Sequence, residues 1–153
     1  MIKQVFDPTV SHRFMATFFI KNIPSPLDIS FQSISGLGRE LNVQSLHQGG
    51  DNVSSFNMPQ NVSHANLVLE RGVMTVTPMM LSFDQILSAF NLHYCKLIVL
   101  LLNNKQFPVC SWTFSNAIPV SWSTDMLDAN SSKILINTLE LAYEKMHWYG
   151  VKA

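Results

Sequence analysis

Charge is scarce in this chain of 153 residues: only 13% are Asp, Glu, Lys or Arg, about half the ~25% of ordinary soluble domains. A lone chain with so little surface charge lacks what keeps soluble proteins apart, so part of its surface is expected to belong to a partner. Neither sign dominates, since ten Lys plus Arg balance ten Asp plus Glu. That balance excludes a global basic field drawing the protein onto nucleic acid or an anionic membrane, and any DNA contact would have to be local. Long apolar runs are also missing. The longest, Leu97 to Leu102, falls far short of the ~20 residues that span a bilayer. Met1 to Pro8 is interrupted by Asp7 and Pro8 and lacks the core of about 7 to 15 apolar residues that a signal peptide needs. The expectation is a protein with no stable membrane association that stays in the cytoplasm where it is made.

Residues that carry chemistry are few and scattered. The histidines, His12, His47, His64, His93 and His147, show no pair at the short spacing of a zinc-binding helix or hairpin. Gly36-Leu37-Gly38 lacks the downstream glycine and the strand-to-helix context of a dinucleotide loop, and reads as a bend. The two cysteines, Cys95 and Cys110, flank a turn expected at Asn103 to Gln106. If that hairpin closes with a two- or four-residue loop, Leu102 pairs with Lys105 or Phe107, and in neither register do the cysteines oppose each other. Both are expected to be small buried hydrophobes, without a disulfide. Neither lies in a nucleophile motif. No metal, no cofactor and no catalytic residue is predicted.

What is present is strand pattern. With 47% hydrophobic residues, the chain is long enough for one domain that buries roughly 70% of its unfolded surface. Phe14 to Ile20 is aromatic-rich and stops at Pro24 and Pro26. Leu27 to Ile34 alternates, Glu40 to Leu46 is extended, and Asn66 to Glu70 is a short strand. Thr77 and Pro78 open the one clear helix, about 78–92, with Met79, Phe83, Ile86 and Phe90 at helical spacing. Leu97 to Leu102 is apolar on both faces, as a strand buried on two sides must be. In its partner, Phe107 to Asn116, Cys110, Trp112 and Phe114 share one face and Ser111, Thr113 and Ser115 the other. The chain then bends away through Trp122, and Ile134 to Glu144 makes a last long strand. The predicted fold is mainly β, two antiparallel sheets forming a sandwich or barrel with one packed helix. Gln48 to Ser63 is a long polar, punctuated stretch that nonetheless carries Val53, Phe56 and Met58. Exposed apolar residues in such a loop call for a cover.

Four segments, Ile34-Ser35-Gly36-Leu37, Leu67 to Gly72, Trp112 to Trp122 and Asn137 to Glu144, stand in the order found in phage tail tube proteins. Across nearly its whole length the chain resembles the tube proteins of contractile phages and extracellular contractile injection systems, whose fold is shared by the hemolysin-coregulated protein of type VI secretion. It departs from them in carrying Phe83 and Phe90, rather than a tryptophan, in the helix region.

The resemblance implies a structural subunit that assembles with itself into stacked, hexameric rings around a channel for DNA or effectors. It implies as partners a sheath, a baseplate or tube initiator, and a tail terminator, in a virion tail or injection particle assembled in the bacterial cytoplasm. It also implies that the loop at about 46–63 reaches the neighbouring ring through Gln48, Gly49, Gly50, Asn52, Val53, Phe56 and Met58. Ser111, Thr113 and Ser115, small hydroxyls on one strand face, are candidates for the channel wall. A tube initiator of the same fold would read almost identically. From the residues alone, a carbohydrate-binding sandwich using Trp122, Trp148 and Tyr149 is the other class in view.

Overall fold

A computed structural model describes residues 13–25, 31–72 and 76–150. Strands dominate, arranged as two antiparallel sheets that share one long strand. In the first sheet β1 (Phe14–Ile20) lies between β2 (Ile23–Ser25) and β7 (Cys95–Leu102). β7 pairs the first half of β8 (Pro108–Thr124), whose other side takes β10 (Lys145–Gly150). In the second sheet the far half of β8 pairs β9 (Ile136–Ala142), then β6 (Leu67–Gly72) and β3 (Ser33–Ser35). Among the described residues the sheets do not close into a barrel. The strand expected over Leu27 to Ile34 lies partly outside the described residues, and its described end is β3.

Alternation builds the core. Ala16 and Phe18 of β1, Leu97 and Val99 of β7, and Phe114 of β8 are all buried on the inner face of the first sheet. Leu67 and Leu69 of β6, with Leu139 and Leu141 of β9, face them from the second. The helix α1 (Pro78–Ala89) joins this core through Met79 and Phe83, whose ring meets Phe18 edge-on at 6.1 Å. Its start is the expected one: Thr77 is extended, its Oγ1 accepts from the Met80 N–H at 3.4 Å, and Pro78 stands in the first turn. Its end is earlier than 92. Phe90 turns left-handed, at φ 52, and its N–H bonds back to the Gln85 carbonyl.

Several expectations change. The β7–β8 hairpin pairs Leu102 with Pro108, through a loop in which the Asn103 N–H meets the Phe107 carbonyl, rather than with Lys105 or Phe107. The Asn103 side chain explains the wider loop, since its Oδ1 accepts from the N–H groups of both Lys105 and Phe107. The cysteines still miss each other, Cys95 pairing with Ala117 and Cys110 with Leu101. Cys95 is buried, but Cys110 is only half-buried.

Secondly, the chain does not leave the sheet at Asn116. It takes φ 53 there, bonds Glu144 through its side chain, and continues as strand to Thr124, passing from one sheet to the other. Thirdly, among the described residues β7 is not sealed on both faces, because Ile98 and Leu100 remain half-buried. Fourthly, the strand expected over Ile134 to Glu144 is shorter, Ile136–Ala142, and it is not the last, since the aromatic tail forms β10 after it.

Candidate assembly surfaces

The second half of the stretch expected as a polar loop is a strand, Phe56 to Ser63, which forms a β-ribbon with the expected extended segment Glu40 to Leu46. Among the described residues β4 (Glu40–Leu46) and β5 (Phe56–Ser63) pair only with each other, with a shift of register between Asn42 and Val43. Side-chain bonds crossing the ribbon, Asn42 to Asn61 at 3.0 Å, Gln60 to Gln44 at 3.0 Å and Ser45 to Asn57 at 2.7 Å, hold the pairing. At its tip the Asp51 carboxylate accepts from Val53 N–H at 3.1 Å and Ser54 N–H at 3.2 Å, and from the Ser54 hydroxyl. These bonds, the Ser54 hydroxyl first, hold its carboxyl below the usual carboxylate range. Gly50, at φ 95, makes the reversal.

Sequence-predicted contact residues gather here. Gln48, Gly49, Gly50, Asn52 and Val53 form the tip, and Phe56 and Met58 lie on β5. Alternation places Leu41, Val43 and Val62 on one face of the ribbon and Leu46, Phe56 and Met58 on the other, all of them exposed. A two-stranded ribbon in water is marginal by itself, and this one has apolar residues on both faces. Pattern alone missed most of this. Pro59 and the asparagines mask the strand, although Leu41, Val43 and Leu46 gave the signal for an apolar β4.

The base of the ribbon is tied to the body where β9 breaks. Arg39 donates to the Met146 carbonyl at 3.4 Å, and the His64 ring stacks on Tyr143 at 4.1 Å. Gly36, at φ 88, passes so close to Asn66 that a Cβ there would overlap the Asn66 carbonyl oxygen. Direction follows from the ladders. β3 runs into β4, and β5 returns into β6, at the end of the second sheet where Leu67 pairs Leu141. The loop joining β8 to β9 lies at the other end, where Gly72 pairs Ile136. That loop surrounds a depression of about 630 Å³. Met126, Leu127 and Ile134, which line it, are 85%, 81% and 77% exposed, far beyond what a self-contained loop leaves in water.

Ser111, Thr113 and Ser115 do share one outward face, half-buried, on the first half of β8. Their neighbours across the sheet are Tyr149, His147 and Lys145 of β10, with Leu100 and Ile98 of β7 on the other side. Of the three aromatics considered for sugar stacking, Trp122 packs against the core. Trp148 and Tyr149 sit more than half exposed on β10, and register puts them on opposite faces of that strand, so they form no common platform. Burial pushes the Cys95 thiol up to about 11 and raises that of Cys110 as well, the opposite of what a nucleophile needs. Among the described residues no group of three or more His, Cys, Asp or Glu is placed to hold a metal ion.

A model of the T4-like virus tail tube protein gp19 family matches residues 11–147. Among solved structures, the chain is 47% identical to a chain of the six-fold symmetrised baseplate of the anti-feeding prophage, covering 96% of this chain and 99% of that one, at a TM-score of 0.89. It is 25% identical to a chain of the PVC extracellular contractile injection system sheath–tube complex in the extended state, covering 99% of both at a TM-score of 0.79. An Hcp protein crystal structure shares the fold, at 11% identity and a TM-score of 0.55 over 90% of this chain and 92% of that one. Comparison with curated protein sequences gives no match.

Proposed function

The chain belongs to the T4-like virus tail tube protein family, and on that footing we propose that its copies close into hexameric rings that stack as the inner tube of a contractile phage tail or injection system. The family match over residues 11–147 carries this. The six-fold symmetry of the baseplate particle that holds a 47% identical chain supports the ring number. The physical logic is that a ring hides sheet edges that would otherwise stand open, here those of β10 and of the second half of β8. A sheath around the tube, a baseplate below and a terminator above are its partners, and DNA or effector protein is its cargo. It is a structural part that catalyses no reaction.

In this assembly the ribbon of β4 and β5, with its tip at Gln48 to Val53, makes the contact between rings, and the face of Ser111, Thr113 and Ser115 lines the channel. Small hydroxyls give a wet wall with little adhesion to a passing polymer. In assembled particles of the Thr113→Cys, Cys110→Ser chain, the new thiol is expected to react with a small maleimide but not with one carrying a protein-sized group. Equal reaction with both puts that face outside the channel. For the assembly itself, sedimentation over a concentration series should give ring-sized species that grow into heavier ones. A single-chain species at every concentration refutes it.

A second reading is the ring that starts the tube on the baseplate. The 47% identity to a chain of a baseplate particle, against 25% to a chain of a sheath–tube complex, favours it. Long filaments from the pure protein mark the main tube subunit, and growth that stops at one ring marks the initiator.

A further inference from the structure

Taking the channel position of the Ser111, Thr113 and Ser115 face as its basis, we infer that this face is a cationic wall that accepts a polypeptide cargo of net negative charge. The chain is neutral as a whole, but its charges are sorted by sheet. Among the described residues every Asp and Glu, from Glu40 to Glu144, lies in the second sheet, the ribbon, the helix or the connections between elements. The first sheet with its turns, residues 13–25, 95–116 and 145–150, holds Arg13, Lys21, Lys96, Lys105 and Lys145 and no carboxylate. Glu144 stands at the boundary, just before Lys145, and accepts from the Asn116 side chain.

Strand register puts two of these cations beside the hydroxyls. Lys145 pairs with Ser115 from β10, and Lys96 comes from β7 at the bulge between the Cys95–Ala117 and Leu97–Phe114 pairs. Both alternate with buried neighbours, Cys95 and Leu97 on one strand and Met146 on the other, so both stand exposed on the outward face. They flank β8 at two strand spacings, roughly 10 Å at ~4.8 Å each, which is about one screening length in 0.1 M salt. Their fields therefore overlap across the hydroxyls, and copies around a ring repeat the pair.

The rest of the face decides between nucleic acid and polypeptide. Ile98 and Leu100, half-buried on β7, lie beside Thr113 and Ser111. Duplex DNA presents phosphates along its outside and nothing apolar to meet them. A single strand is held by successive bases stacked on aromatic rings. Here Phe19 on β1 and the His147–Tyr149 pair on β10 stand on opposite sides of the face, with β7 and β8 between them. A polypeptide brings carboxylates for the lysines and apolar side chains for Ile98 and Leu100 on one chain.

The test gives assembled particles one of three fluorescein-labelled probes of matched length: a Glu-rich peptide with interspersed Leu, its Lys-for-Glu counterpart, or a single-stranded oligodeoxynucleotide. The readout is the probe that sediments with the particles while shielded from a quenching antibody too large for the channel. The acidic peptide is expected to exceed the basic one by about tenfold or more in low salt. That advantage should vanish at 1 M salt, where the screening length falls to ~3 Å, and in Lys96→Gln, Lys145→Gln particles, while Lys133→Gln particles keep it. Oligonucleotide retained at or above the level of the acidic peptide overturns the polypeptide cargo. Equal retention of the two peptides overturns the cationic wall, and the channel reading still stands if Thr113→Cys, Cys110→Ser particles react only with the small maleimide. Reaction with both maleimides overturns the channel position and the cationic wall together. Failure of the double lysine variant to form rings places those side chains in a contact between copies and overturns the wall as well.

Discussion

Chains carrying Val43→Asp together with Phe56→Asp are expected to fold and to close rings, yet to lose stacking altogether. Both positions are exposed on the isolated chain, so folding should change by less than about 0.5 kcal/mol each, a melting shift of roughly 1–2 °C per substitution for a chain of this size. Stacking is different. Covering a Val or Phe side chain is worth about 1.5–3 kcal/mol, and a carboxylate placed in the same contact is either desolvated at further cost or keeps the contact open. Losing about 4 kcal/mol per ribbon is roughly a thousandfold in each contact, and every subunit of a ring makes one. Because Val43 and Phe56 lie on opposite faces of the ribbon, the pair removes its grip on both sides. Sedimentation and electron microscopy should find rings without tubes. Tubes of normal length would mean that the ribbon does not join rings.

Gly36→Ala should be the most damaging single substitution of a surface backbone position. Residue 36 takes φ 88, where an alanine is strained by about 1–2 kcal/mol. Its Cβ would also overlap the Asn66 carbonyl oxygen, a backbone atom held at the start of β6 that cannot swing aside. A total of about 3 kcal/mol or more is expected, seen as a melting point lower by roughly 6–12 °C. Gly38→Ala is the control, since nothing lies within 4 Å of a Cβ there and its φ is not left-handed. Equal stability of the two variants would mean that the crossing of chain segments at the ribbon's base is looser than described. Because this crossing sets where the ribbon leaves the body, Gly36→Ala should also impair stacking, which Gly38→Ala should not.

The features that could be read from sequence are those in which one residue's neighbours along the chain decide its environment. Thr77 and Pro78 start the helix by capping chemistry that needs nothing distant. Cys110, Trp112 and Phe114 alternate with Ser111, Thr113 and Ser115 because one side of β8 faces a core. Where no core imposes alternation, the pattern fails. β5 faces no core on either side, so Asn57, Pro59 and Asn61 look like a loop although each stands in a strand. β10 has only Met146 buried, and its other residues give no period.

Ile98 and Leu100 misled in the opposite sense. Their apolar character implied a layer on each face of β7, but among the described residues both stay only half-buried. Met126, Leu127 and Ile134 are uncovered too, Ile134 lying just before β9 although it was expected to open that strand. An apolar residue whose own chain leaves it uncovered is a statement about assembly, and periodicity has no means of saying which copy provides the cover. The site residues at the tip, Gln48 to Val53, came from resemblance, and their place at the far end of a projecting ribbon required the ladder of β4 and β5.

Cryo-electron microscopy of the purified, unsubstituted protein across a concentration series tests the central claim most directly. Rings with an open channel that stack into tubes are expected, with each ribbon crossing to the ring beyond it. Single chains at every concentration, or tubes in which the ribbon folds against its own sheet, would contradict it.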